Sequence, residues 1–164
     1  MERCPKKSHW ATQDTYAFCV KIHLFDEQED LKLDSSSVEP IVLETLHKEG
    51  IECDEVSVHF VTKRKISQIH RKFFNDPAPT DCITFPIDDA NEPYRILGEI
   101  FICPQVAIEY ITPGDPYEET MLYLVHGLLH LAGYDDTTPI AKKKMRAAEK
   151  RHMANLKKKK LILN

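Results

Sequence analysis

The stretch HGLLHLAGYDD, residues 126–136, decides how this 164-residue chain is interpreted. His126 and His130 are four residues apart, so on a helix both imidazoles project from one face, one turn apart. Gly133 is the residue type that ends a helix in the left-handed conformation, which lets the chain fold back. Asp136 can then approach the same point in space. Two neutral imidazoles and one carboxylate form a three-ligand set of the kind that holds a catalytic zinc, with the fourth position left for water.

The helix that carries the two histidines is predicted to be buried, because apolar residues surround it almost completely. These residues are Met121, Leu122, Leu124, Val125, Leu128, Leu129 and Leu131. A neutral histidine that is buried without a partner costs about 1–3 kcal/mol, and a charged one costs more. Hydrogen bonds to backbone carbonyls would be the simpler explanation for either histidine alone. A metal explains the whole H-x3-H-x2-G-x2-D array better.

The flanking sequence predicts one α+β domain over residues 1–164, with a mixed sheet of about four strands packed with about five helices. Strands are expected at 17–25, 55–62, 81–87 and 97–103, and helices at 38–49, 64–74, 104–111, 115–133 and from Thr138 onward. The metal site is expected at the C-terminal end of the buried helix. Residues 1–15 and 157–164 are expected to be mobile.

Composition excludes several classes of protein. A hydrophobic fraction of 42% with 29% charged residues is typical of a globular chain and not of a disordered one. The five cysteines are an odd number without CxxC spacing, which favours free thiols in a reducing compartment. No apolar stretch is long enough to cross a bilayer, and no signal-peptide pattern is visible at residues 1–20. We therefore expect a cytoplasmic protein with no membrane partner.

Charge is distributed unevenly along the chain. Residues 1–140 carry 12 basic against 25 acidic residues, whereas residues 141–164 carry 10 basic residues against Glu149 alone. A basic segment on an acidic body is typical of docking on a polyanion such as nucleic acid, with the run Lys157 to Lys160 as one candidate contact. The alternative is a solvated helix face with a basic tail.

The ligand spacing is also that of metzincin-type metalloproteases, H-E-x-x-H-x-x-G-x-x-H, some of which use Asp as the third ligand. There the Glu after the first His is the general base for peptide hydrolysis. Gly127 occupies that position here and can transfer no proton. A metalloprotease is therefore the second choice among enzymes.

Three motifs together resemble one known family. HGLLHLAGYDD resembles the HGxLHLxGYDH signature of the YbeY family, which comprises bacterial single-strand-specific endoribonucleases implicated in ribosomal RNA maturation. PTDCITFP at 79–86 resembles the family's P-T-D/N-V-L-S-F-P, and LGEIFI at 97–102 resembles its L-G-D-I-V-I. The resemblance covers roughly residues 18–153. It implies a mixed α+β metal hydrolase fold with a zinc near a cleft.

The resemblance also implies a function. It predicts a single-strand-specific, metal-dependent endoribonuclease that acts in maturation of the 3′ end of 16S ribosomal RNA and in ribosome quality control. One Zn²⁺ per chain on His126, His130 and Asp136 would lower the pKa of its bound water towards ~7, which supplies hydroxide for attack on a phosphodiester. The RNA 2′-hydroxyl stays open as an alternative nucleophile, and no protein side chain is chosen as the base. The expected partners are ribosomal RNA and proteins of the small ribosomal subunit.

Two positions depart from the family pattern. Asp136 stands where the family has its third histidine, and Asp135 matches the family's usual Asp, which fits a turn residue better than a ligand. The family often has an arginine in a Tyr-Arg-Gly run ahead of the P-T-D motif. Here that run reads Phe73-Phe74-Asn75, which puts Phe74 at the arginine position, and Arg71 or Lys72 are the candidates to contact RNA instead.

Other residues and one further class complete the sequence-based interpretation. Glu149 and His152 lie on the last helix, are expected to face solvent, and receive no role. The non-enzymatic alternative is a ribosome-assembly factor with a structural zinc. A three-ligand site opposes it, because structural zinc sites are usually closed by four protein ligands.

Overall fold

A computed structural model of the chain describes residues 20–164, in which helices pack on both faces of a mixed β-sheet. The strands are β1 (Lys21–Glu27), β2 (Glu55–Val61), β3 (Cys82–Pro86) and β4 (Ile96–Ile102). The helices are α1 (Ser35–Glu49), α2 (Lys63–Phe74), α3 (Pro104–Tyr110), α4 (Pro116–Leu131) and α5 (Pro139–Lys158). The strands lie in the order β1-β2-β4-β3 across the sheet. Strands β1, β2 and β4 run parallel to one another, and β3 pairs antiparallel with β4 at one edge.

This architecture confirms the predicted fold class, a single α+β domain with a mixed sheet of four strands and five helices. The predicted elements agree with the observed ones to within a few residues. The first predicted strand, 17–25, is seen from Lys21, and its residues 17–19 lie outside the described part of the chain. The expected mobile segment 1–15 also lies outside it.

The two faces of the sheet have different coverings. One face presents Val58, Phe60 and Ile100, each at most 1% exposed, to the main core formed with α1, α4 and α5. The opposite face presents Val61, Ile83 and Cys103 to Ile66 of α2 in a second, smaller cluster. Alternation along the strands produces both surfaces, because successive side chains point to opposite sides. Helix α4 therefore lies in the main core.

Two glycines allow α4 to lie unusually close to β3 and β4. A Cβ at Gly127 would come within 2.5 Å of Ile100 Cγ2 and 3.0 Å of Cys82 Sγ. A Cβ at Gly98 would come within 2.5 Å of the Phe85 carbonyl oxygen and 2.8 Å of a Leu131 methyl. Because interiors are close-packed, neither position has room for a side chain. The helix that carries the histidines can therefore lie close against β3 and β4.

The ends of α4 and α5 are set by local sequence. Asp115 caps α4 by accepting from the Tyr117 amide, and Pro116 occupies its first position. At the other end, the Gly133 amide donates to His130 O and the Tyr134 amide to Leu129 O, with Gly133 at φ 95°. These are the two bonds of a Schellman motif. Thr138 then caps α5 through the Ala141 amide. Only residues 132–138 separate α4 from α5. This short loop, which includes Asp136, therefore stays near the C-terminal end of α4.

The C-terminal segment differs from the mobile tail that the sequence predicts for residues 157–164. Helix α5 continues to Lys158, and Leu163 is 3% exposed within the main core. The Asp34 amide at the start of α1 donates to the Asn164 carbonyl oxygen. The sequence did not predict this packing, because the run Lys157 to Lys160 is strongly polar. The contact with the main core is made by Leu161 and Leu163, which follow that run.

Candidate metal centre

His126, His130 and Asp136 converge at the C-terminal end of α4, as their spacing predicts. The two Nε2 atoms are 2.9 Å apart, and the Asp136 carboxylate oxygens lie 3.9 Å from each of them. Donor atoms about 2.0–2.2 Å from one zinc ion stand roughly 3.3 Å apart at tetrahedral angles, and the three distances lie on either side of that value. Within residues 20–164 these are the three residues whose donor atoms can hold a metal ion.

Hydrogen bonds on the other ring nitrogens determine which atoms face the centre. His126 Nδ1 lies 2.7 Å from Glu149 Oε1, and His130 Nδ1 lies 3.0 Å from the Tyr134 carbonyl oxygen. An ionised carboxylate and a carbonyl only accept, so each Nδ1 carries the proton and donates. In the neutral rings both Nε2 lone pairs then face each other at 2.9 Å. A cation between them removes that conflict, so this donor set fits a bound metal.

Asp135 and Asp136 are adjacent but do different things. Asp135 accepts from the Thr137 amide at 3.1 Å and from the Thr137 hydroxyl at 2.5 Å, which closes a turn. These bonds lower the pKa of the Asp135 carboxyl below its ordinary value. Asp136 instead directs its carboxylate to the two histidines. The structure thus places Asp135 in the turn and Asp136 beside the two histidines, and the assignment of Asp136 as a metal ligand stays a prediction.

Glu149 is a site residue that the sequence interpretation missed. It lies on α5, and its carboxylate fixes the tautomer and orientation of His126. Histidine ligands usually donate their second N–H to such a partner, which raises their basicity. The sequence did contain a signal, since Glu149 is the sole acidic residue among ten basic ones in residues 141–164. The expectation that Glu149 faces solvent is therefore wrong.

The loop after α4 is tied down by a polar cluster built around the buried ring of His152. The Tyr134 hydroxyl donates to Glu49 Oε2 at 2.9 Å, and Glu49 Oε1 lies 2.6 Å from both Arg151 and His152. His152 is 0% exposed, so the expectation that it faces solvent is also wrong. Because the Tyr134 carbonyl holds His130, this cluster supports a ligand candidate from behind.

Electrostatics at the centre favour positive charge. Burial of the His126 ring opposes its charged form, but the hydrogen bond and charge of Glu149, with the charges of Asp81 and Asp136, raise its pKa above the ordinary value. Burial, with Asp81 and Glu149 nearby, likewise raises the pKa of the Glu119 carboxyl. A group of carboxylates that shifts neighbouring pKa values upward is an environment that stabilises a cation.

Arg71 and Lys72 lie in the last turn of α2, on the sheet face opposite α4. Both are exposed, and Lys72 Nζ stands 5.1 Å from the centroid of the Phe73 ring. Among the described residues no hydrogen bond or ion pair joins either one to the three ligand candidates. The structure thus brings the three ligand candidates together and leaves these two basic residues apart from them.

Gly127 bears directly on the protease alternative. Its missing side chain would point at Ile100 and Cys82 of the sheet. No general base can be presented to a substrate from this position, so the structure agrees with the sequence in opposing peptide hydrolysis.

A compact α+β domain with two histidines and one aspartate converging at a helix end defines a metal-dependent hydrolase class of site. The chain matches the family described as Endoribonuclease YbeY over residues 23–157. It belongs to the YbeY endoribonuclease family, as the three motifs indicate. The prediction that it is an enzyme of this family is confirmed.

Similar proteins agree with this family. Endoribonuclease YbeY of Protochlamydia amoebophila (strain UWE25) is 53% identical over 147 residues, which cover 88% of this chain and 98% of that protein. Endoribonuclease YbeY of Chlamydia pneumoniae is 38% identical, covering 88% and 96%. The solution structure of TM1509 from Thermotoga maritima superposes with a TM-score of 0.57 at 28% identity, covering 80% of this chain and 86% of that one.

None of the helices in residues 20–164 combines the length and the apolar character that a membrane crossing requires.

Proposed function

We propose that the chain is a single-strand-specific endoribonuclease that uses one Zn²⁺ held by His126, His130 and Asp136. The observation that carries the proposal is the pair of Nε2 atoms 2.9 Å apart beside a carboxylate, with both Nδ1 atoms held by other acceptors. Family membership supports the reaction class, because the relatives are named endoribonucleases. Two imidazoles and one carboxylate leave a coordination position open, which suits catalysis better than a structural role.

The chemistry divides between the ion and the protein. When bound, the ion supplies Lewis acidity, which acidifies a water molecule and offsets negative charge on the scissile phosphate. Glu149 and the Tyr134 carbonyl keep both Nε2 lone pairs directed at the centre. Gly127 and Gly98 fix the distance of α4 from the sheet edge and so fix the position of both rings. The nucleophile is either a water or the 2′-hydroxyl of the RNA.

The substrate and location are part of the proposal. We infer that the RNA is ribosomal, that the enzyme acts in maturation of the 3′ end of 16S ribosomal RNA with proteins of the small subunit as partners, and that Arg71 or Lys72 contacts RNA. A cytoplasmic location is supported by the free thiols of Cys53, Cys82 and Cys103, which a reducing compartment preserves.

One experiment tests the reaction and the metal together. Gently purified protein is analysed for metal content and then incubated with a single-stranded RNA, the same RNA as a duplex, and casein. The proposal expects one zinc per chain, cleavage of the single strand alone, loss of cleavage after chelation and recovery on adding Zn²⁺.

Three results would overturn it. If RNA cleavage survives complete removal of the metal, the reaction does not depend on a metal ion. Full metal content without RNA cleavage favours the assembly-factor alternative, and casein hydrolysis favours the protease.

A further inference from the structure

A groove of about 320 Å³ runs between α4 and α5 beside the candidate metal centre. Glu149, which accepts from His126 Nδ1, forms part of its wall, so the groove adjoins the ligand group. Leu122 and Met153 line it with apolar surface, and Arg146 and Lys150 add two cations. A polymer that reaches the metal along this side must pass these side chains.

Each carboxylate in the groove wall already has a donor within the protein. The pairs are Glu118 with Lys157 Nζ at 2.6 Å, Glu149 with His126 Nδ1 at 2.7 Å, and Glu119 with the Tyr123 hydroxyl. Their charge is therefore partly offset from inside the fold. The groove is less repulsive to an anion than its composition suggests.

The cations of the groove have no such partner. Arg146 and Lys150 are exposed, and within residues 20–164 neither side chain makes a hydrogen bond or ion pair. Lys142 lies one turn earlier on the same side of α5 and is also exposed and unpaired among the described residues. The three are spaced by four residues, which corresponds to about 6 Å along the helix axis per step.

The basic residues at the end of the helix differ. Lys157 pairs with Glu118 at 2.6 Å, and Lys159 pairs with Glu44 at 2.8 Å. Half of the run from Lys157 to Lys160 is thus engaged in holding α5 to the body. The unpaired positive charge next to the candidate metal centre lies earlier in α5, from Lys142 to Lys150.

Resting on the proposed function, we propose that Lys142, Arg146 and Lys150 form a phosphate track that holds the backbone of single-stranded RNA beside the metal centre. Arginine and lysine are the residues that bind phosphate, and such contacts position a strand without reading its sequence. An acidic body would otherwise repel RNA, so a local row of cations has to supply the affinity. Their spacing is on the scale of neighbouring phosphates along one strand.

The test compares two double variants of the full-length, metal-loaded protein. Arg146→Gln with Lys150→Gln removes two charges from the groove. Lys144→Gln with Lys48→Gln also removes two charges, from exposed positions outside the groove that have no ion pair among residues 20–164, which makes it the matched control. Initial rates on a fluorescent single-stranded RNA are measured at several salt concentrations, together with zinc content and thermal midpoint.

The groove variant should raise KM at least about tenfold and leave kcat within a factor of about two. Each lost phosphate contact should flatten the log–log salt dependence of kcat/KM by about 0.7, which gives about 1.4 for two contacts. The control should change neither quantity beyond about twofold, and both variants should keep their zinc and thermal midpoint.

Other outcomes are decisive in different ways. If the wild-type protein cuts RNA but the groove variant matches its control in KM and salt slope, the phosphate track is wrong and the proposed function stands. If the groove variant loses kcat with KM unchanged, the residues act on chemistry and the track is again wrong. If the wild-type protein carries zinc and cuts no RNA, the proposed function fails and the track fails with it.

Discussion

Two histidine–glutamate pairs lie close together in this fold and differ in one respect. His126 donates to Glu149, with 2.7 Å between Nδ1 and Oε1, and His152 contacts Glu49, with 2.6 Å between Nε2 and Oε1. The second nitrogen of His152, Nδ1, is enclosed in the protein without a hydrogen-bond partner among the described residues. The second nitrogen of His126 faces another imidazole and a carboxylate. A carboxylate partner orients a histidine in both pairs, but only the direction of the other nitrogen creates a site.

The largest effect should come from removing a ligand candidate. His130→Ala leaves one imidazole and one carboxylate, so stoichiometric zinc and RNA cleavage should both be lost, with a fall in activity beyond the roughly 100-fold that loss of an outer partner costs. Metal analysis and initial rates check this. Full zinc occupancy in His130→Ala would show that the ligands are elsewhere.

Next in size is the loss of the Glu149 carboxylate. Glu149→Gln keeps the shape of the side chain but weakens the hold on the His126 tautomer, so zinc affinity should fall by roughly 10- to 100-fold with the fold retained. Competition with a zinc chelator measures the affinity. The matched control is Glu49→Gln, which alters the other pair. Because a glutamine oxygen can still accept from the Tyr134 hydroxyl, the loop that holds His130 should stay in place, and zinc affinity should fall much less than in Glu149→Gln. Equal losses in the two variants would contradict the distinction between the pairs.

His152→Ala should have the opposite profile. It removes a fully buried ring and one donor to Glu49, so the free energy of unfolding should drop by about 1–3 kcal/mol, while the folded protein keeps its zinc. Denaturant unfolding of the zinc-loaded protein, with metal analysis, gives both quantities. A stable variant that has lost its zinc would indicate that the buried pair belongs to the metal site.

Acid should weaken the buried pair in a defined pH range. Burial acts to raise the pKa of Glu49, but hydrogen bonds from His152, Arg151 and Tyr134 prevail and hold it below the ordinary value of 4.5. A carboxyl whose pKa is depressed in the folded state contributes stability above the unfolded pKa, and this is lost as pH falls through the folded pKa. Stability should therefore fall more steeply below about pH 4.5 in the wild-type protein than in Glu49→Gln. Parallel curves would contradict this.

The smallest effects are expected at the turn that carries the third ligand candidate. Asp136→His supplies the family's usual third histidine and should retain zinc, because imidazole and carboxylate both complete a tetrahedral site. Asp135→Asn keeps an acceptor for Thr137 and should also retain it. If Asp135→Asn loses zinc while Asp136→Ala keeps it, the ligand lies one residue earlier than the structure indicates.

Much of the fold was predictable because its signals are local. Asp115-Pro116 and Thr138-Pro139 start helices through short-range capping, and Gly133 ends one through its own backbone conformation. The two histidine positions follow from helical spacing in the same way. The position of Asp136 near the two histidines was also predictable, because only a short loop separates it from α4.

Glu149 and His152 were not predictable with the same means. Their roles depend on how α5 is rotated against α4 and α1, which is decided by packing of Met145, Ala148 and Leu156 and not by local pattern. The pairing of Lys157 with Glu118 has the same origin, since 39 positions separate the two residues. Charge counting identified the basic helix, but the distinction between paired and unpaired cations needed the tertiary structure.

Gly127 limits how this fold can change its reaction over evolutionary time. Acquiring the glutamate of a zinc peptidase would take few base changes in the gene, yet a larger residue at position 127 must first displace Ile100 or Cys82 in the sheet. Steric conflict with the sheet therefore opposes the glutamate of a peptidase at position 127, whatever its side chain could do chemically. Lineages that diversify from this scaffold should therefore change exposed side chains around the candidate metal centre, where there is space, and keep glycine where the helix meets the strands.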